Sequence, residues 1–352
     1  MAVTKASDGE PAEELVPVGV KLGSTRTVIV YPDGDERVAV ESMTCLTTYR
    51  DVLVDEQRRL YGEDAATEYP DESQFMIRNG LPVDAESTDL ASTFFSELLA
   101  GNGIPRNSAV VYAIPAIDNE AGLRHFERVV EESPIGRGPV RSYPESLCGA
   151  LPVFEERLDA IDEVFATVNL GGTIFEACAY RYGEQLAQWS TSSITGNRVD
   201  RRIANYVEAE TQGRVNIDAT TAREYKEGHA DFESYEPFTD VVQQPGGGSH
   251  EFTVECSVMD AVDEYVDQAV EAITTGFLVD LERAYPDIYD RALDRPIVLT
   301  GGMACIPGLA NVFATRLGQA LQHDITLTHA ERPDLAAAQG AYEIAARLIE
   351  VE

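Results

Sequence analysis

Three short glycine-containing turns, each preceded by a β-branched apolar strand, limit what this chain can fold into. They are Lys21–Thr25 (Lys-Leu-Gly-Ser-Thr), Asn169–Thr173 (Asn-Leu-Gly-Gly-Thr) and Thr300–Met303 (Thr-Gly-Gly-Met). A strand that runs into a Gly-Ser/Thr turn exposes backbone N–H groups and hydroxyls, which together bind anions. Two such turns about 150 residues apart, with a third further on, predict two related half-domains that hold one nucleotide phosphate chain between them.

The charge of the chain is strongly negative. It has 61 Asp and Glu against 27 Lys and Arg, and a formal net charge of −34. The lysines are Lys5, Lys21 and Lys226, and all other basic residues are arginines. A surface rich in carboxylates and poor in lysine is typical of proteins from a cytosol with molar salt. There the Debye length is about 3 Å, so repulsion between the negative charges of the protein is screened. We therefore expect a halophilic protein rather than an ordinary acidic protein with basic partners. Direct nucleic-acid binding is not expected, because no basic stripe is present.

Length and cysteine usage indicate a globular cytoplasmic protein with two domains. The 352 residues exceed what one simple core holds, and a hydrophobic content of 44% is enough to build a core. The five cysteines are scattered and form no Cys-x-x-Cys pair, which predicts reduced thiols and no zinc site. No segment resembles a signal peptide or a membrane-spanning apolar run, so we expect no membrane segment.

Alternating strands and helices repeat one pattern twice. Hairpins are predicted at Val16–Val20 with Thr27–Tyr31 and at Glu163–Asn169 with Glu176–Arg181. Helical patterns, a buried strand and a further helix follow each hairpin, and a long helix is predicted over Val258–Tyr285. The order hairpin, crossover, strand and helix, occurring twice, indicates an internally duplicated α/β protein.

Six segments in a fixed order carry a resemblance to a known superfamily. They are Val18–Thr25, Asn169–Thr173, Ile194–Val207, Thr221–Glu227, Leu299–Leu309 and Pro333–Gly340. In this order they resemble the phosphate loops, adenosine-side elements and last connecting element of the actin, DnaK-chaperone and sugar-kinase superfamily. The chain is most similar to the MreB and archaeal actin branch, whose haloarchaeal members include salactin and volactin.

The resemblance implies an α/β fold of the duplicated ribonuclease H-like (actin-like) type, with a nucleotide cleft between two domains. A flexible acidic tail is predicted at 1–16. Domain I is predicted at 17–152 together with 333–352, and domain II at 153–332. Small subdomain insertions are predicted at 33–82 in domain I and at 197–257 in domain II.

The resemblance also implies that ATP or ADP binds in the cleft. The residues expected to bind it are Lys21, Leu22, Gly23, Ser24, Thr25, Asn169, Gly171, Gly172, Thr173, Gly196, Asn197, Asp200, Lys226, Glu227, Gly301, Gly302 and Met303. The lysines support this independently, because a chain that avoids lysine keeps Lys21 and Lys226 at two of these positions. An ammonium donates to phosphate or ribose oxygens as a compact charge, unlike a guanidinium. The alternative is chance survival of two surface lysines.

Both phosphate loops depart from the family pattern at their first residue. The family has an Asp there in each loop, which orders water around a magnesium ion that bridges the terminal phosphates. Here the positions hold Lys21 and Asn169. Magnesium remains implied as a cofactor, but we expect the protein to hold it weakly and Lys21 to supply part of its charge. Nucleotide binding tolerates these changes better than fast hydrolysis does, so any ATPase activity is expected to be slow.

Two carboxylates are candidates for activating the attacking water. Glu120 lies five residues after Pro115, which is the spacing of the catalytic Glu in MreB. The alternative is an acid in the first turn of a helix that complements the helix dipole. Glu145 follows Pro144 near the family's Glu-Pro helix, although Tyr143 takes the usual position of the Glu. For Glu145 too, the alternative is an acid at a helix N-terminus.

We expect a cytoskeletal protein that polymerises with itself into cytoplasmic filaments, with assembly and disassembly linked to its nucleotide state. The alternatives are a nucleotide-binding scaffold that does not hydrolyse and a small-molecule kinase of the same superfamily. A chaperone is not expected, because the length leaves no room for a peptide-binding domain and lid. The first residues offer no apolar or basic face to a membrane. Any link to DNA or other cargo is expected to need adaptor proteins.

Overall fold

The structure is a computed structural model that describes residues 15–51, 53–117, 119–135, 138–154, 161–243 and 248–351. Residues 1–14 of the predicted tail lie outside this range. Residues 244–247, within the predicted insertion 197–257, lie outside it as well.

The described residues form the strands and helices named here. The strands are β1 (Val16–Leu22), β2 (Arg26–Asp33), β3 (Glu36–Met43), β4 (Cys45–Asp51), β5 (Glu56–Tyr61), β6 (Gln74–Phe75), β7 (Ser108–Ile114), β8 (Val140–Pro144), β9 (Phe165–Leu170), β10 (Phe175–Arg181), β11 (Glu184–Thr191), β12 (Phe238–Gln243), β13 (Ser249–Val254), β14 (Ile297–Thr300) and β15 (Leu327–His329). The helices are α1 (Gly62–Glu68), α2 (Ala85–Gly101), α3 (Glu120–Glu132), α4 (Glu145–Phe154), α5 (Gly196–Glu210), α6 (Ala219–His229), α7 (Ser257–Ala272), α8 (Leu278–Ala284), α9 (Pro286–Leu293), α10 (Leu309–Leu321) and α11 (Ala336–Val351).

Two five-stranded sheets with the same strand order form the centre of the molecule. The first has the order β3-β2-β1-β7-β8, and the second has the order β11-β10-β9-β14-β15. In each sheet the first three strands pair antiparallel and the last three pair parallel. The same mixed sheet, present twice, confirms the predicted duplicated α/β fold.

The duplication extends to single residue pairs. In the first hairpin Lys21 of β1 lies opposite Val28 of β2. In the second hairpin Asn169 of β9 lies opposite Glu176 of β10, with the same separation along the chain. Lys21 and Asn169 therefore occupy equivalent places near the carboxyl ends of the two central strands.

Helices α4 and α11 connect the two sheets. α11 packs against β1, β7 and α4, while α4 also packs against β9 and β14. The packing is close enough to require glycine. A Cβ on Gly19 would overlap the carbonyl oxygen of Ala338, and a Cβ on Gly340 would overlap that of Cys148. The central strands of both halves are thus held at a fixed distance from the helices between them.

The ranges predicted as insertions contain regular structure. β3 is an edge strand of the first sheet, although its residues fall within 33–82. β4, β5 and β6 form a separate small sheet on which α1 packs. Within 197–257, α5 and α6 precede the hairpin of β12 and β13. The division into domains and insertions stays a prediction.

The predicted long helix Val258–Tyr285 is interrupted by a π-helical turn. The turn is Ile273–Phe277, and it joins α7 to α8. A Cβ on Gly276 would overlap the indole of Trp189, so the ring packs directly on this turn. Among the described residues, no helix combines the length and apolar character needed to cross a membrane.

Candidate functional site

A cleft with a volume of about 720 Å³ lies between the two halves of the molecule. The expected nucleotide-binding residues that line it are Lys21, Gly23, Ser24, Thr25, Asn169, Gly171, Gly172, Thr173, Gly196, Asn197, Lys226, Glu227, Gly302 and Met303. Glu145 lines it as well. Leu22, Asp200 and Gly301 are buried and do not line the cleft. The structure thus brings the three predicted turns together around one space.

The first two turns have the same geometry. A Cβ on Gly23 would lie 2.5 Å from the carbonyl oxygen of Arg26, and a Cβ on Gly171 would lie 2.6 Å from that of Ile174. Both distances are too short for a side chain to fit without movement of the backbone. Each turn therefore requires glycine at the point where the chain folds back on itself.

Lys21, Glu145 and Asn169 form a hydrogen-bonded group in the cleft wall. The Nζ of Lys21 lies 2.7 Å from Oε1 of Glu145, and the side chains are 15% and 9% exposed. The Nδ2 of Asn169 donates to the same Glu145 oxygen at 3.1 Å. The Oδ1 of Asn169 is buried without a hydrogen-bond partner. Lys21 and Asn169 are the next-to-last residues of β1 and β9, and Glu145 begins α4, so the group links the central strands through the helix between them.

Glu176 is a buried carboxyl next to this group. Its Oε2 accepts a hydrogen bond from the backbone N–H of Ala116 at 3.0 Å. Ala116 follows β7, so this bond joins the second sheet to the first. Burial raises the pKa of the Glu176 carboxyl to about 7, with a further contribution from the negative charge on Glu145. This group therefore titrates near neutral pH.

Lys226 and Asp200 form a second buried ion pair, on the other side of the cleft. The Nζ of Lys226 lies 2.5 Å from Oδ1 of Asp200 and donates to the carbonyl oxygen of Gly196 at 3.5 Å. The Nε of Arg223 lies 3.6 Å from the other Asp200 oxygen, while Nη1 of Arg223 is buried without a hydrogen-bond partner. Asp200 therefore orients two cations that line the cleft.

The third turn packs against the second. Gly301 has a φ of +88°, a conformation that favours glycine. A Cβ there would lie 2.6 Å from Oδ1 of Asn169. Gly302 has no neighbour within 4 Å of where its Cβ would be, and the side chain of Met303 is buried. The turn thus offers an open backbone surface at Gly302 and an apolar support beneath it.

Contacts between side chains of the described residues cross the cleft near the first turn. The Nη2 of Arg26 lies 2.9 Å from Oε2 of Glu227, and Oγ1 of Thr25 donates to Oδ1 of Asn197 at 3.5 Å. Arg26 and Glu227 are well exposed, so this salt bridge contributes little free energy. At this point the two halves are joined by an exposed salt bridge and a long hydrogen bond.

Glu120 lies outside the cleft. It is the exposed first residue of α3 and does not line the cavity. Its neighbour Asn119 caps the helix by accepting from the N–H of Gly122 at 2.9 Å. A carboxylate in this position interacts favourably with the helix dipole. Of the two carboxylates considered for catalysis, the structure brings Glu145 into the site and leaves Glu120 at a helix end.

The side chains of the cleft do not fit a magnesium ion held by the protein. Magnesium takes oxygen ligands, chiefly carboxylates and water, in octahedral geometry. At the two loop positions stand the ammonium of Lys21 and the amide of Asn169, and both contact the same oxygen of Glu145. In the part of the chain that the structure describes, no group of three or more His, Cys, Asp or Glu side chains is arranged to hold a metal. Magnesium on a nucleotide takes one or two carboxylates besides phosphate oxygens and water, and at the two loop positions the unpartnered Oδ1 of Asn169 is a neutral amide oxygen.

Three arginines in the cleft wall carry no signal in the sequence pattern. They are Arg26, Arg223 and Arg332. The Nη2 of Arg332 lies 3.0 Å from Oε1 of Glu41 and 2.7 Å from Oδ2 of Asp334. Arginine is frequent throughout this chain, so its presence at a given position does not mark a site. Lysine is rare, so each lysine does. The available signal is adjacency, since Arg26 directly follows the first turn and Arg223 lies one helical turn before Lys226.

Comparisons with known sequences agree with this architecture. The Salactin family model matches residues 15–349. Salactin of Halobacterium salinarum is 56% identical over 345 residues, which cover 98% of this chain and 95% of that protein. The halophilic character expected from the composition and the archaeal origin implied by the resemblance agree with the source of this relative.

Solved structures with a similar fold include MreB and MamK. MreB5 of Spiroplasma citri bound to ADP has a TM-score of 0.75 and 15% identity, over 97% of this chain and 99% of that chain. A MamK double helical filament has a TM-score of 0.74 and 18% identity, over 95% of this chain and 99% of that chain. These likenesses confirm the expected actin-like fold.

Proposed function

The chain belongs to the salactin family, and on that basis we propose that it is an actin-like cytoskeletal protein. It binds ATP or ADP in the cleft and polymerises with itself into cytoplasmic filaments. The observation that carries this proposal is the pair of equivalent glycine turns, one from each half, that line one cleft of about 720 Å³. Structures of MreB5 with ADP and with AMPPNP, which share the fold, support nucleotide as the ligand.

The phosphates of the nucleotide lie between the first two turns in this proposal. The backbone N–H groups of both turns and the ammonium of Lys21 are their donors. The Oγ of Ser24 accepts from the N–H of Gly80 at 2.8 Å, which leaves the hydroxyl hydrogen to donate to a phosphate. The ribose and base extend towards α6, where Lys226 and Glu227 line the cleft, and towards the third turn.

Nucleotide binding gates assembly because the ligand contacts both halves. The exposed Arg26–Glu227 salt bridge across the cleft is weak, so a phosphate chain held by both turns shifts the population towards the closed form. A closed molecule presents one fixed pair of end surfaces, and a head-to-tail contact between them repeats into a filament. A MamK double helical filament, which shares this fold, supports such assembly.

Hydrolysis, where it occurs, uses Glu145 rather than Glu120 in this proposal, because Glu145 lines the cleft. The Oε1 of Glu145 already accepts from Lys21 and Asn169, so this oxygen is occupied by two donors. That observation favours slow turnover. It also favours a second candidate function, a nucleotide-binding scaffold that does not hydrolyse.

The test is light scattering with pelleting in molar KCl, in the presence of ATP and magnesium, ADP, or no nucleotide. The proposal predicts polymer with ATP and less with ADP or without nucleotide. Phosphate release measured in parallel separates the two candidates, because a scaffold forms polymer without releasing phosphate. Glu145→Ala is expected to reduce phosphate release and Glu120→Ala to leave it unchanged. A protein that binds nucleotide and forms no polymer under any condition contradicts the proposal.

A further inference from the structure

The chain places one of its few lysines at the phosphate end of the cleft and fixes it there. Lys21 is mostly buried, and its ammonium is held by Glu145, which is in turn held by Asn169. An ammonium has three donors, and one of them satisfies Glu145. The others remain for a ligand in the cleft that Lys21 lines.

The other cations in the cleft wall have carboxylate partners away from the phosphate turns. Lys226 and Arg223 are paired with Asp200, which lies on α5. Arg26 is paired with Glu227 on α6. Lys21 is the cation that stands on a phosphate turn itself and shares its carboxylate with the second turn through Asn169.

Charge counting shows that this site does not require a bound divalent cation to attract phosphates. A divalent ion held by two carboxylates adds no net charge to a cleft. A lysine and an asparagine in their place, with Glu145 paired to the lysine, also add no net charge, and they do so with no ion present. The charge that a nucleotide meets is therefore at least as positive without a protein-held metal as it is with one.

We infer that the Lys21 ammonium, aimed by Glu145, binds the terminal phosphates directly and takes the place of a protein-held divalent cation, so that nucleotide binding is independent of magnesium. Glu145 is then a positioning residue for Lys21. This inference rests on the proposed function, because it requires that a nucleotide occupies the cleft.

The experiment is isothermal titration of the full-length protein with ATP and with adenosine, in molar KCl, with either magnesium or excess EDTA. We expect the wild-type Kd for ATP to differ by less than about threefold between magnesium and EDTA. Lys21→Met is expected to weaken ATP binding about 30-fold in both conditions, the scale of one charge-assisted hydrogen bond, and to leave adenosine binding unchanged. Lys21→Asp is expected to bind ATP more tightly with magnesium than with EDTA.

Controls separate loss of charge from loss of structure. Arg128→Met removes an exposed cation that pairs with Asp89 and Glu132 far from the cleft, and it is expected to leave both Kd values unchanged. Because Lys21→Met leaves Glu145 without its partner, the double variant Lys21→Met/Glu145→Gln removes both charges and is expected to lose the same ATP affinity. Glu145→Ala frees Lys21 to move and is expected to weaken ATP binding. Glu145→Gln, which keeps an oxygen acceptor, is expected to restore most of that affinity.

Each outcome distinguishes the inference from the proposed function. Wild-type protein that binds ATP only when magnesium is present overturns the inference and leaves nucleotide binding intact. Equal losses of ATP and adenosine binding in both lysine variants also overturn it, because Lys21 then acts through structure. Wild-type protein that binds neither ligand under any condition overturns the proposed function itself.

Discussion

The turns Lys21–Thr25 and Asn169–Thr173 share one backbone geometry but begin with side chains of different charge. Each begins near the end of a central strand and requires glycine at its third residue. The first begins with the cation Lys21, which lies between Val28 and Ala113 on the neighbouring strands. The second begins with the neutral Asn169, which lies between Glu176 and Thr300.

The two halves contribute different groups to the same cluster of side chains in the cleft wall. The first half supplies a positive charge from an apolar strand environment. The second supplies polar groups that hold the carboxylate partner of that charge, since Asn169 donates to Glu145. The repeated backbone geometry suits the proposed binding of one anion by both turns, while the side chains differ because one cation needs one set of supporting groups.

The largest expected effect comes from adding charge to the second turn. Asn169→Asp removes the donor to Glu145 and places a buried carboxylate beside Glu145 and Glu176. We expect a loss of about 3 kcal/mol in the free energy of unfolding, measured by guanidinium unfolding in molar KCl. The matched control is Asn119→Asp, which keeps a good helix cap and is expected to cost less than about 0.5 kcal/mol. Equal losses of unfolding free energy in the two variants would contradict the placement of Asn169 beside the carboxylates of Glu145 and Glu176.

Glu176 has no titrating counterpart in the first turn, where Val28 stands. Its pKa is about 7 in the folded protein against an ordinary value of 4.5. Between these values the unfolded chain has released the proton that the folded protein keeps, so this group lowers stability as pH rises from about 4.5 to 7. The effect is on the order of 3 kcal/mol. The difference between wild-type and Glu176→Gln unfolding curves should follow this pH dependence, and parallel curves would show that the carboxyl is ionised throughout.

Glycine substitutions test whether the two turns are equivalent. In Gly23→Ala the new Cβ would lie 2.5 Å from the carbonyl oxygen of Arg26. In Gly171→Ala it would lie 2.6 Å from that of Ile174. Both variants should lose about 1–3 kcal/mol of stability and do so by similar amounts. Thermal unfolding of the pair measures this. A large loss of stability in one variant and none in the other would contradict the equivalence of the two turns.

The smallest expected effect lies at the contact between the halves. Glu227→Gln removes the charge that faces Arg26 across the cleft. Because both side chains are well exposed, the cost should be below about 1 kcal/mol and should shrink as KCl rises from 0.5 to 3 M. Thermal unfolding at several salt concentrations checks this. A cost that stays constant with salt is inconsistent with a solvent-screened pair.

Local patterns in the sequence were sufficient to predict the repeated hairpins and the turns. A glycine turn after a β-branched strand is encoded within about ten residues, so Lys21–Thr25 and Asn169–Thr173 are recognisable without the fold. By contrast, β4 and β5 were not predicted. β5 is largely exposed and contains Glu56, Gln57, Arg58 and Arg59, so it lacks the apolar alternation that marks a half-buried strand.

Contacts between distant residues could not be predicted. Glu176 is a charged residue in a strand, and its role follows only from the register that places it opposite Asn169 and from the bond to Ala116. The pairing of Asp200 with Lys226 requires that α5 and α6 pack together. For Glu120 the spacing from Pro115 matched a catalytic pattern, but spacing alone does not determine which helix end faces the cleft.

In the proposed function the two turns hold one phosphate chain, with Lys21 as its cation. A crystal structure of the full-length protein with AMPPNP and manganese, recorded at the manganese absorption edge, tests this most directly. We expect phosphates between Gly23 and Gly171, the Lys21 ammonium at hydrogen-bond distance from a terminal phosphate oxygen, and no manganese ligated by a protein side chain. Phosphates outside the two turns, or a manganese peak coordinated by Glu145, would contradict it.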